Sequence, residues 1–199
     1  SIVTLQDMNF VSSLLAMLDC TLSDEILESE HADSVEKAFC FAVIWSMGSA
    51  LSLTDDGTDN RKLFSEWWRG EWRRVKMPTQ FTVFDYWYDA GTNTYEQWSK
   101  SPFLSSEMMD YDSTTTEMSS VTVPTPETCS VTYWMNLLVG MRRPVMLAGP
   151  SGTGKTQIVA GLLQQLNPEE FLHNTINFNF YTTASVLQAN MAISLVKKT

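Results

Sequence analysis

The chain has 199 residues, 44% apolar and 12% aromatic, enough to fill one sizeable core or two small ones, and its charged fraction of 18% is too low for intrinsic disorder. The formal net charge is -10, and the first sixty residues hold eleven acidic side chains and a single lysine, Lys37. Such a chain does not neutralise the phosphates of a nucleic-acid backbone, so no nucleic-acid partner is expected.

Three cysteines, Cys20, Cys40 and Cys129, are widely spaced, form no Cys-x-x-Cys motif and are accompanied by only two histidines. This pattern predicts neither a disulfide framework nor a zinc site, and it favours a reducing setting such as the cytoplasm. The longest apolar runs, at 39–45 and 145–148, are far shorter than the roughly 20 residues of a membrane-spanning helix. Because the N-terminus also lacks a secretory signal pattern, no membrane association is expected.

Residues 1–77 are predicted to form a helical domain. Four apolar residues recur at helical spacing behind a possible capping residue, Thr4, and predict a first amphipathic helix: Val11, Leu14, Leu15 and Leu18. A second helix is predicted to end near Gly48, whose missing Cβ suits a left-handed turn. A third helix is predicted over 60–76, closed by Pro78.

The third predicted helix carries Trp67, Trp68 and Trp72 beside several arginines. Aromatic and basic side chains together could stack nucleobases. Because the tryptophans follow helical spacing within an acidic chain, we favour packing in a core or at an interface between domains.

Beyond the helical domain the residue types change, and a β-hairpin is predicted. Residues 81–88 are β-branched and aromatic, 90–94 form a glycine-containing turn, and 95–98 return as the second strand. We place the domain boundary between residues 77 and 78. Asp85 resembles the strand-terminal acid of a nucleotide hydrolase, but its position within the hairpin favours a structural role.

The second part of the chain, 78–199, is expected to begin a parallel α/β sheet. Residues 105–122 have no periodicity and predict a long surface loop. After it the pattern predicts a helix, a buried strand, a glycine-rich loop, a second helix and a second strand, over 131–140, 144–148, 149–154, 155–166 and 175–180. The predicted fold class is therefore α/β, with a helical domain in front.

The segment 149–156 fits the eight-position phosphate-binding loop, Gly-x-x-x-x-Gly-Lys-Thr. Its glycines would leave backbone N–H groups facing phosphate oxygens, Lys155 would neutralise the β- and γ-phosphates, and the Thr156 hydroxyl would ligate Mg²⁺. The next helix would direct its positive N-terminal end at the anion. The predicted ligand is ATP or ADP with Mg²⁺, and the predicted binding residues are Gly149, Pro150, Ser151, Gly152, Thr153, Gly154, Lys155, Thr156 and Gln157.

The loop stands between an apolar strand and an amphipathic helix, and this context argues against a glycine turn without a ligand, which would require neither Lys155 nor Thr156. Hydrolysis also needs a strand-terminal acid and an arginine from a neighbouring module. No such acid is identified downstream. Arg142 and Arg143 lead directly into the strand and are interpreted as its solvated entrance rather than as an arginine finger. No catalytic residue is therefore assigned.

The segments around the loop form an ordered set: Phe41-Ala42-Val43-Ile44-Trp45-Ser46-Met47-Gly48, Val83-Phe84-Asp85-Tyr86-Trp87-Tyr88-Asp89, Trp98, Val123-Pro124-Thr125, Ile176-Asn177-Phe178-Asn179-Phe180, Thr182, Thr183 and Gln188. In this order they resemble dynein heavy chains at the entry to the third AAA+ module, over nearly the whole chain. One segment departs from the family, which usually has Asp-Thr-x-Arg where this chain has Glu127-Thr128-Cys129-Ser130. The missing arginine affects adenine-side contacts or local packing.

The resemblance implies that residues 1–77 are the helical C-terminal subdomain of the second AAA+ module. It implies that 78–199 begin the large α/β subdomain of the third, with a hairpin insertion. Family members are ATP-driven microtubule motors in which the first module supplies most hydrolysis and the third is mainly regulatory. The motifs look axonemal, which implies a cytoskeletal location in cilia or flagella. The implied partners are neighbouring AAA+ modules of the same chain, microtubules and other dynein-arm chains.

Two alternatives stay open at this point. The site could hold a nucleotide permanently as a structural element without turnover. The missing arginine is the reason for considering this alternative. The chain could also belong to an unrelated P-loop enzyme, such as a small-molecule kinase, with the helical part as a regulatory domain. The latter predicts catalysis without ring neighbours, whereas the motor hypothesis predicts almost none from these residues alone.

Overall fold

The computed structural model describes residues 6–104 and 123–193. In chain order these residues form α1 (Asp7–Thr21), α2 (Asp24–Leu27), α3 (Ser34–Gly48), α4 (Asn60–Glu71), β1 (Tyr86–Asp89), β2 (Thr94–Gln97), α5 (Pro126–Gly140), α6 (Lys155–Gln165) and α7 (Ala184–Ile193). The chain divides into two compact units, Ser1–Ile158 and Val159–Thr199. We call α1 to α5 with the hairpin and their connections the aromatic body (described residues up to 143) and residues 144–193 the loop segment.

The first helix is confirmed, but its start differs from the prediction. Thr4, the predicted cap, lies outside the described residues, and Gln6 takes the position before the helix. Asn9 caps this end of the helix. Its Oδ1 accepts from the Gln6 N–H at 2.9 Å, and its N–H donates to the Gln6 carbonyl at 2.8 Å. An amide side chain therefore closes the helix start.

Helix α3 ends at Gly48 as predicted, but for a different reason. Gly48 is not among the described glycines with positive φ, and a Cβ built on it would lie 2.3 Å from Cζ of Phe84. The glycine is required because the Phe84 ring lies directly on the helix backbone. A contact between residues 36 positions apart cannot be read from local sequence.

Helix α4 ends at Glu71, five residues before the predicted end at 76. Asp59 caps its start, because its Oδ1 accepts from the N–H groups of Arg61 and Lys62 at 3.0 and 3.3 Å. Trp72 follows the helix with its ring stacked on Trp68, at 5.1 Å between ring centroids. Beyond it Val75 and Met77 are buried, so the chain leaves the helix in order to insert these side chains in the core.

The tryptophan cluster divides between core and surface. Trp68 is buried, as the packing interpretation requires, whereas Trp67 is 57% exposed. An interface between domains for Trp67 therefore remains a prediction.

The hairpin is confirmed over a shorter range. Strands β1 and β2 pair antiparallel, from Tyr86 opposite Gln97 to Asp89 opposite Thr94. The segment Val83–Asp85 is a 3₁₀ turn rather than a strand, because the Asp85 carboxylate accepts from the Thr82 N–H at 2.8 Å and closes a tight cap. Asp85 thus has the structural role that was predicted for it.

A polar network holds the hairpin turn on α3. Asn93 is buried with φ of +53°, and its Oδ1 accepts from the Tyr88 hydroxyl at 3.0 Å. Its Nδ2 donates to Asp33 at 2.8 Å, and its carbonyl accepts from Nζ of Lys37 at 2.8 Å. The Tyr95 hydroxyl donates to the Lys37 carbonyl at 2.7 Å. These bonds fix the turn against the first turn of the helix.

The core of the aromatic body joins helices and hairpin. Phe41 on α3 stacks on Trp134 of α5, with ring centroids 4.9 Å apart, and Trp45 meets Phe84 and Trp98 edge to face. The Trp98 indole N–H donates to the Phe84 carbonyl at 3.1 Å. Burial of these large rings is the main stabilising contribution in this region.

Helix α5 starts at Pro126, five residues before the predicted start at 131. Thr125 caps it by accepting from the Thr128 N–H at 3.2 Å, and proline occupies the first helical position. The Thr-Pro pair is a recognisable start signal, and the sequence interpretation missed it.

Neither predicted parallel strand, 144–148 or 175–180, forms among the described residues, whose sheet is the two-stranded hairpin. A parallel strand is held by neighbouring strands from other βα units, and such neighbours are not found in the described ranges. Apolar side chains that a sheet would bury are exposed here, with Met146 at 76% and Phe178 at 70%.

The remaining expectations concern the loop over 105–122 and the boundary between residues 77 and 78. The predicted loop lies outside the described residues. The boundary stays a prediction, and the hairpin that follows it packs on α3. None of the described helices is long and apolar enough to cross a membrane.

Candidate nucleotide-binding site

The glycine-rich loop forms between residue 149 and the start of α6 at Lys155, where it was predicted. Gly152 and Gly154 have φ of +79° and +78°, the left-handed region in which a side chain would be strained. Neither would meet another atom within 4 Å if it carried a Cβ. Backbone conformation, not space, therefore requires glycine at both positions.

Lys155 extends over the turn. Its Nζ donates to the carbonyls of Gly149 and Pro150 at 2.9 and 2.5 Å and to Oγ1 of Thr153 at 3.1 Å. The Thr153 hydroxyl donates to the Pro150 carbonyl at 3.0 Å. The ammonium is thus held at the mouth of the loop, where a phosphate oxygen would exchange with these acceptors.

The N-terminus of α6 faces the same region. The Ile158 N–H donates to the Gly154 carbonyl at 3.0 Å, the first bond of the helix. Within the described ranges, no backbone acceptor is found for the N–H groups of Gly152, Gly154, Lys155 and Thr156. Free N–H groups at the positive end of a helix form a ready site for an anion.

Thr156 lies exposed in the first turn of α6, and Gln157 beside it is partly buried. A hydroxyl at this position could supply one oxygen ligand to Mg²⁺. In the part of the chain that the structure describes, no group of three or more His, Cys, Asp and Glu side chains could hold a metal ion. Further ligands for Mg²⁺ would be nucleotide oxygens, water or residues outside this part.

The two arginines before the loop are not simply solvated. Arg142 has φ of +54°, its N–H donates to the Val139 carbonyl, and the Arg143 N–H donates to the Leu138 carbonyl at 2.8 Å. Nη2 of Arg143 bonds the Asp19 carboxylate at 2.7 Å. Both side chains are exposed, as a solvated entrance requires, but the strand does not form among the described residues, and the ion pair of Arg143 was not predicted. No local signal could have identified a partner 124 positions away.

Ser130 occupies the position where the family motif usually has arginine. It is buried, and its hydroxyl donates to the Glu127 carbonyl at 2.8 Å within α5. The neighbouring thiol of Cys129 is also buried, which raises its pKa. The Ser130 hydroxyl is thus hydrogen-bonded within α5, and the segment 127–130 has no positively charged side chain.

Two left-handed glycines, a lysine folded over the turn and a hydroxyl in the first turn of a helix are the features of the P-loop class of nucleotide-binding proteins. Comparison with known families agrees. The family described as the P-loop containing dynein motor region matches residues 110–199, and the dynein heavy chain AAA lid domain matches residues 1–100. The chain belongs to the dynein heavy chain family and consists of AAA+ motor-region domains.

Individual dynein heavy chains are also similar to this chain over almost its whole length. The chain is 36% identical over 198 residues to dynein axonemal heavy chain 9 of Homo sapiens. It is 35% identical to the dynein alpha chain, flagellar outer arm, of Chlamydomonas reinhardtii and to the dynein beta chain, ciliary, of Tripneustes gratilla. These alignments cover 99% of this chain but 4% of each relative. An unrelated P-loop kinase is not what these comparisons support, and the individual contacts to nucleotide remain predictions.

Proposed function

We propose that this chain is the ATP-binding segment of an axonemal dynein motor ring, acting in ciliary or flagellar movement along microtubules. The observation that carries the proposal is the loop geometry, in which Lys155 and the left-handed Gly152 and Gly154 surround the N-terminus of α6. Such a loop binds the phosphates of ATP or ADP through its backbone, and Thr156 takes the Mg²⁺ that accompanies them.

We further propose that the site is regulatory. The support for this proposal is the ordered set of segments around the loop, which resembles the entry to the third AAA+ module of dynein heavy chains, a module that is mainly regulatory. Binding energy at such a site acts by favouring one conformation of the ring over another. The partners are neighbouring AAA+ modules of the same chain, microtubules and other dynein-arm chains, and the location is the cytoskeleton of the axoneme.

The proposed division places residues 1–77 at the end of the second AAA+ module and 78–199 at the start of the third. The match of the lid family to residues 1–100 and of the motor-region family to 110–199 supports the order of a lid followed by a P-loop domain, while the division at residue 77 is our proposal.

One observation favours a second candidate, a nucleotide held permanently as a structural element. Ser130 stands where the family usually has arginine and is buried with its hydroxyl bonded inside α5, so this segment supplies no charged contact to a nucleotide. In this candidate, nucleotide exchange in the intact ring is undetectably slow, whereas a regulatory site exchanges.

The test is Lys155→Ala in the intact parent motor, with nucleotide occupancy at this loop and microtubule release measured together. The matched control is Lys62→Ala, which removes an exposed lysine on α4 whose distance to Asp59 is 3.9 Å. Reduced occupancy with altered release supports a regulatory site, and reduced occupancy with unchanged release supports the structural candidate. Unchanged occupancy in Lys155→Ala would show that the loop does not bind the nucleotide.

A further inference from the structure

The end of α5 determines the direction in which the chain leaves the aromatic body towards the phosphate-binding loop. The Arg142 N–H bonds the Val139 carbonyl at 2.9 Å and the Arg143 N–H bonds the Leu138 carbonyl at 2.8 Å. With Arg142 in the left-handed region at +54°, these two bonds form a Schellman turn. Glycine adopts this conformation without strain and arginine does not, so contacts on both sides must hold the turn.

On its N-terminal side the turn is held by the core. Trp134, Met135 and Leu138 of α5 are buried, and the Trp134 ring stacks on Phe41 of α3. Helix α5 therefore cannot rotate without disrupting the aromatic body, and the Schellman turn starts from a fixed position.

On its C-terminal side an ion pair joins the turn to helix α1. Nη2 of Arg143 lies 2.7 Å from Oδ2 of Asp19, which belongs to the last turn of α1, and the two side chains are 50% and 47% exposed. Pro144 restricts Arg143 to extended backbone. Gly149, the first residue of the loop, lies six residues after Arg143, a stretch that spans at most about 22 Å.

We propose that Arg143 is a positioning residue for the phosphate-binding loop, and that its bridge to Asp19 couples nucleotide affinity to helix α1. The inference rests on the proposed function of the loop. Without the bridge, the root of the loop samples more directions, and binding must then order it at an entropic cost. Because coupling is reciprocal, nucleotide at the loop also restrains the end of α1.

The test measures the binding of Mg-ATP to the intact parent motor. The part of this binding that Lys155→Ala removes is assigned to the loop, and its Kd is the loop-specific Kd. Arg143→Ala is expected to raise the loop-specific Kd about two- to fivefold, the range that a partly exposed ion pair supports. Asp19→Asn should have the same effect, and the double variant should lose no more than either single one. Arg143→Lys should recover part of the affinity, because it keeps the charge at this position.

The matched control is Arg74→Ala, which removes another exposed ion pair of the aromatic body, with Nε of Arg74 at 2.9 Å from Glu36. It should leave the loop-specific Kd unchanged. A Kd in Arg143→Ala equal to that in wild type and Arg74→Ala would overturn the inference while leaving the proposed function intact. Additive losses in the double variant would also overturn it. Binding that Lys155→Ala does not reduce would overturn the proposed function, and this inference with it.

Discussion

The aromatic body and the loop segment use their apolar side chains in opposite ways. In the aromatic body, residues far apart in sequence bury one another, as Phe41, Trp98 and Trp134 do. Of the described residues between 144 and 193, Leu162 is the one apolar side chain that is buried, and Phe180 is 95% exposed. Yet the phosphate-binding loop is formed in this open segment. The conformation of the loop depends on local backbone geometry and on the bonds of Lys155.

We therefore expect most substitutions to change either the stability of the aromatic body or nucleotide binding, with the Arg143–Asp19 bridge as the proposed link between the two. All seven tryptophans of this chain lie between residues 45 and 134, so tryptophan fluorescence of the 199-residue chain reports unfolding of the aromatic body. Nucleotide binding reports the loop.

The largest effect is expected for Trp98→Ala. Trp98 is 1% exposed and bonds the Phe84 carbonyl, so truncation leaves both a cavity and an unpaired buried acceptor. The free energy of unfolding should fall by about 3–5 kcal/mol in urea titrations followed by tryptophan fluorescence. The control Trp67→Ala, at a 57% exposed position, should cost under about 1 kcal/mol. Equal losses at the two sites would mean that the core is not centred on Trp98.

The next effect is expected for Gly48→Ala. The added Cβ would lie 2.3 Å from Cζ of Phe84 and 2.6 Å from its Cε1, so the ring must move. Overpacking of this kind destabilises by about 1–3 kcal/mol, measured by the same titration. Gly70→Ala on α4 is the matched control, because no atom lies within 4 Å of the added Cβ. It should be neutral or stabilise the helix by up to about 1 kcal/mol, and destabilisation by both substitutions would implicate backbone strain instead.

A change in the loop should separate the two signals. In Gly154→Ala a side chain is placed at φ of +78°, which costs about 1–2 kcal/mol and moves the N–H groups of the turn. Nucleotide affinity in the parent motor should fall about tenfold, while the urea midpoint of the 199-residue chain, followed by tryptophan fluorescence, stays unchanged. Gly161→Ala within α6, where no contact is made, is the control. If Gly154→Ala also lowered the urea midpoint followed by tryptophan fluorescence, the loop would contribute to the stability of the core.

These differences explain which parts of the structure the sequence could predict. The helices, the hairpin turn and the loop were predicted because caps, periodicity and glycines act within a few residues. Three features were missed because each depends on a residue elsewhere in the chain. They are the early end of α4, the contact of Phe84 with Gly48, and the ion pair of Asp19 with Arg143. The strands at 144–148 and 175–180 were predicted from apolar character, but a strand also needs neighbours, and composition does not supply them.

The smallest effect concerns the pH dependence of the network between α3 and the hairpin turn. Hydrogen bonds from Lys37 and Asn93 lower the pKa of Asp33 from 3.8 to about 2. A carboxyl whose pKa is lower in the folded state stabilises the fold above its unfolded pKa, and this contribution is lost as pH falls from about 4 to about 2. The urea midpoint of wild type should therefore decline over this window more than that of Asp33→Asn.

Lys37→Met tests the cause of this decline. The substitution removes the ammonium that lies 2.9 Å from the Asp33 carboxylate, while the Tyr95 hydroxyl keeps its bond to the backbone carbonyl of residue 37. The variant should show a shallower decline between pH 4 and 2 than wild type, close to that of Asp33→Asn, because the largest cause of the lowered pKa is gone. A decline as steep as in wild type would mean that other carboxylates of the aromatic body carry the acid sensitivity, and that the hairpin turn is held by its neutral hydrogen bonds alone.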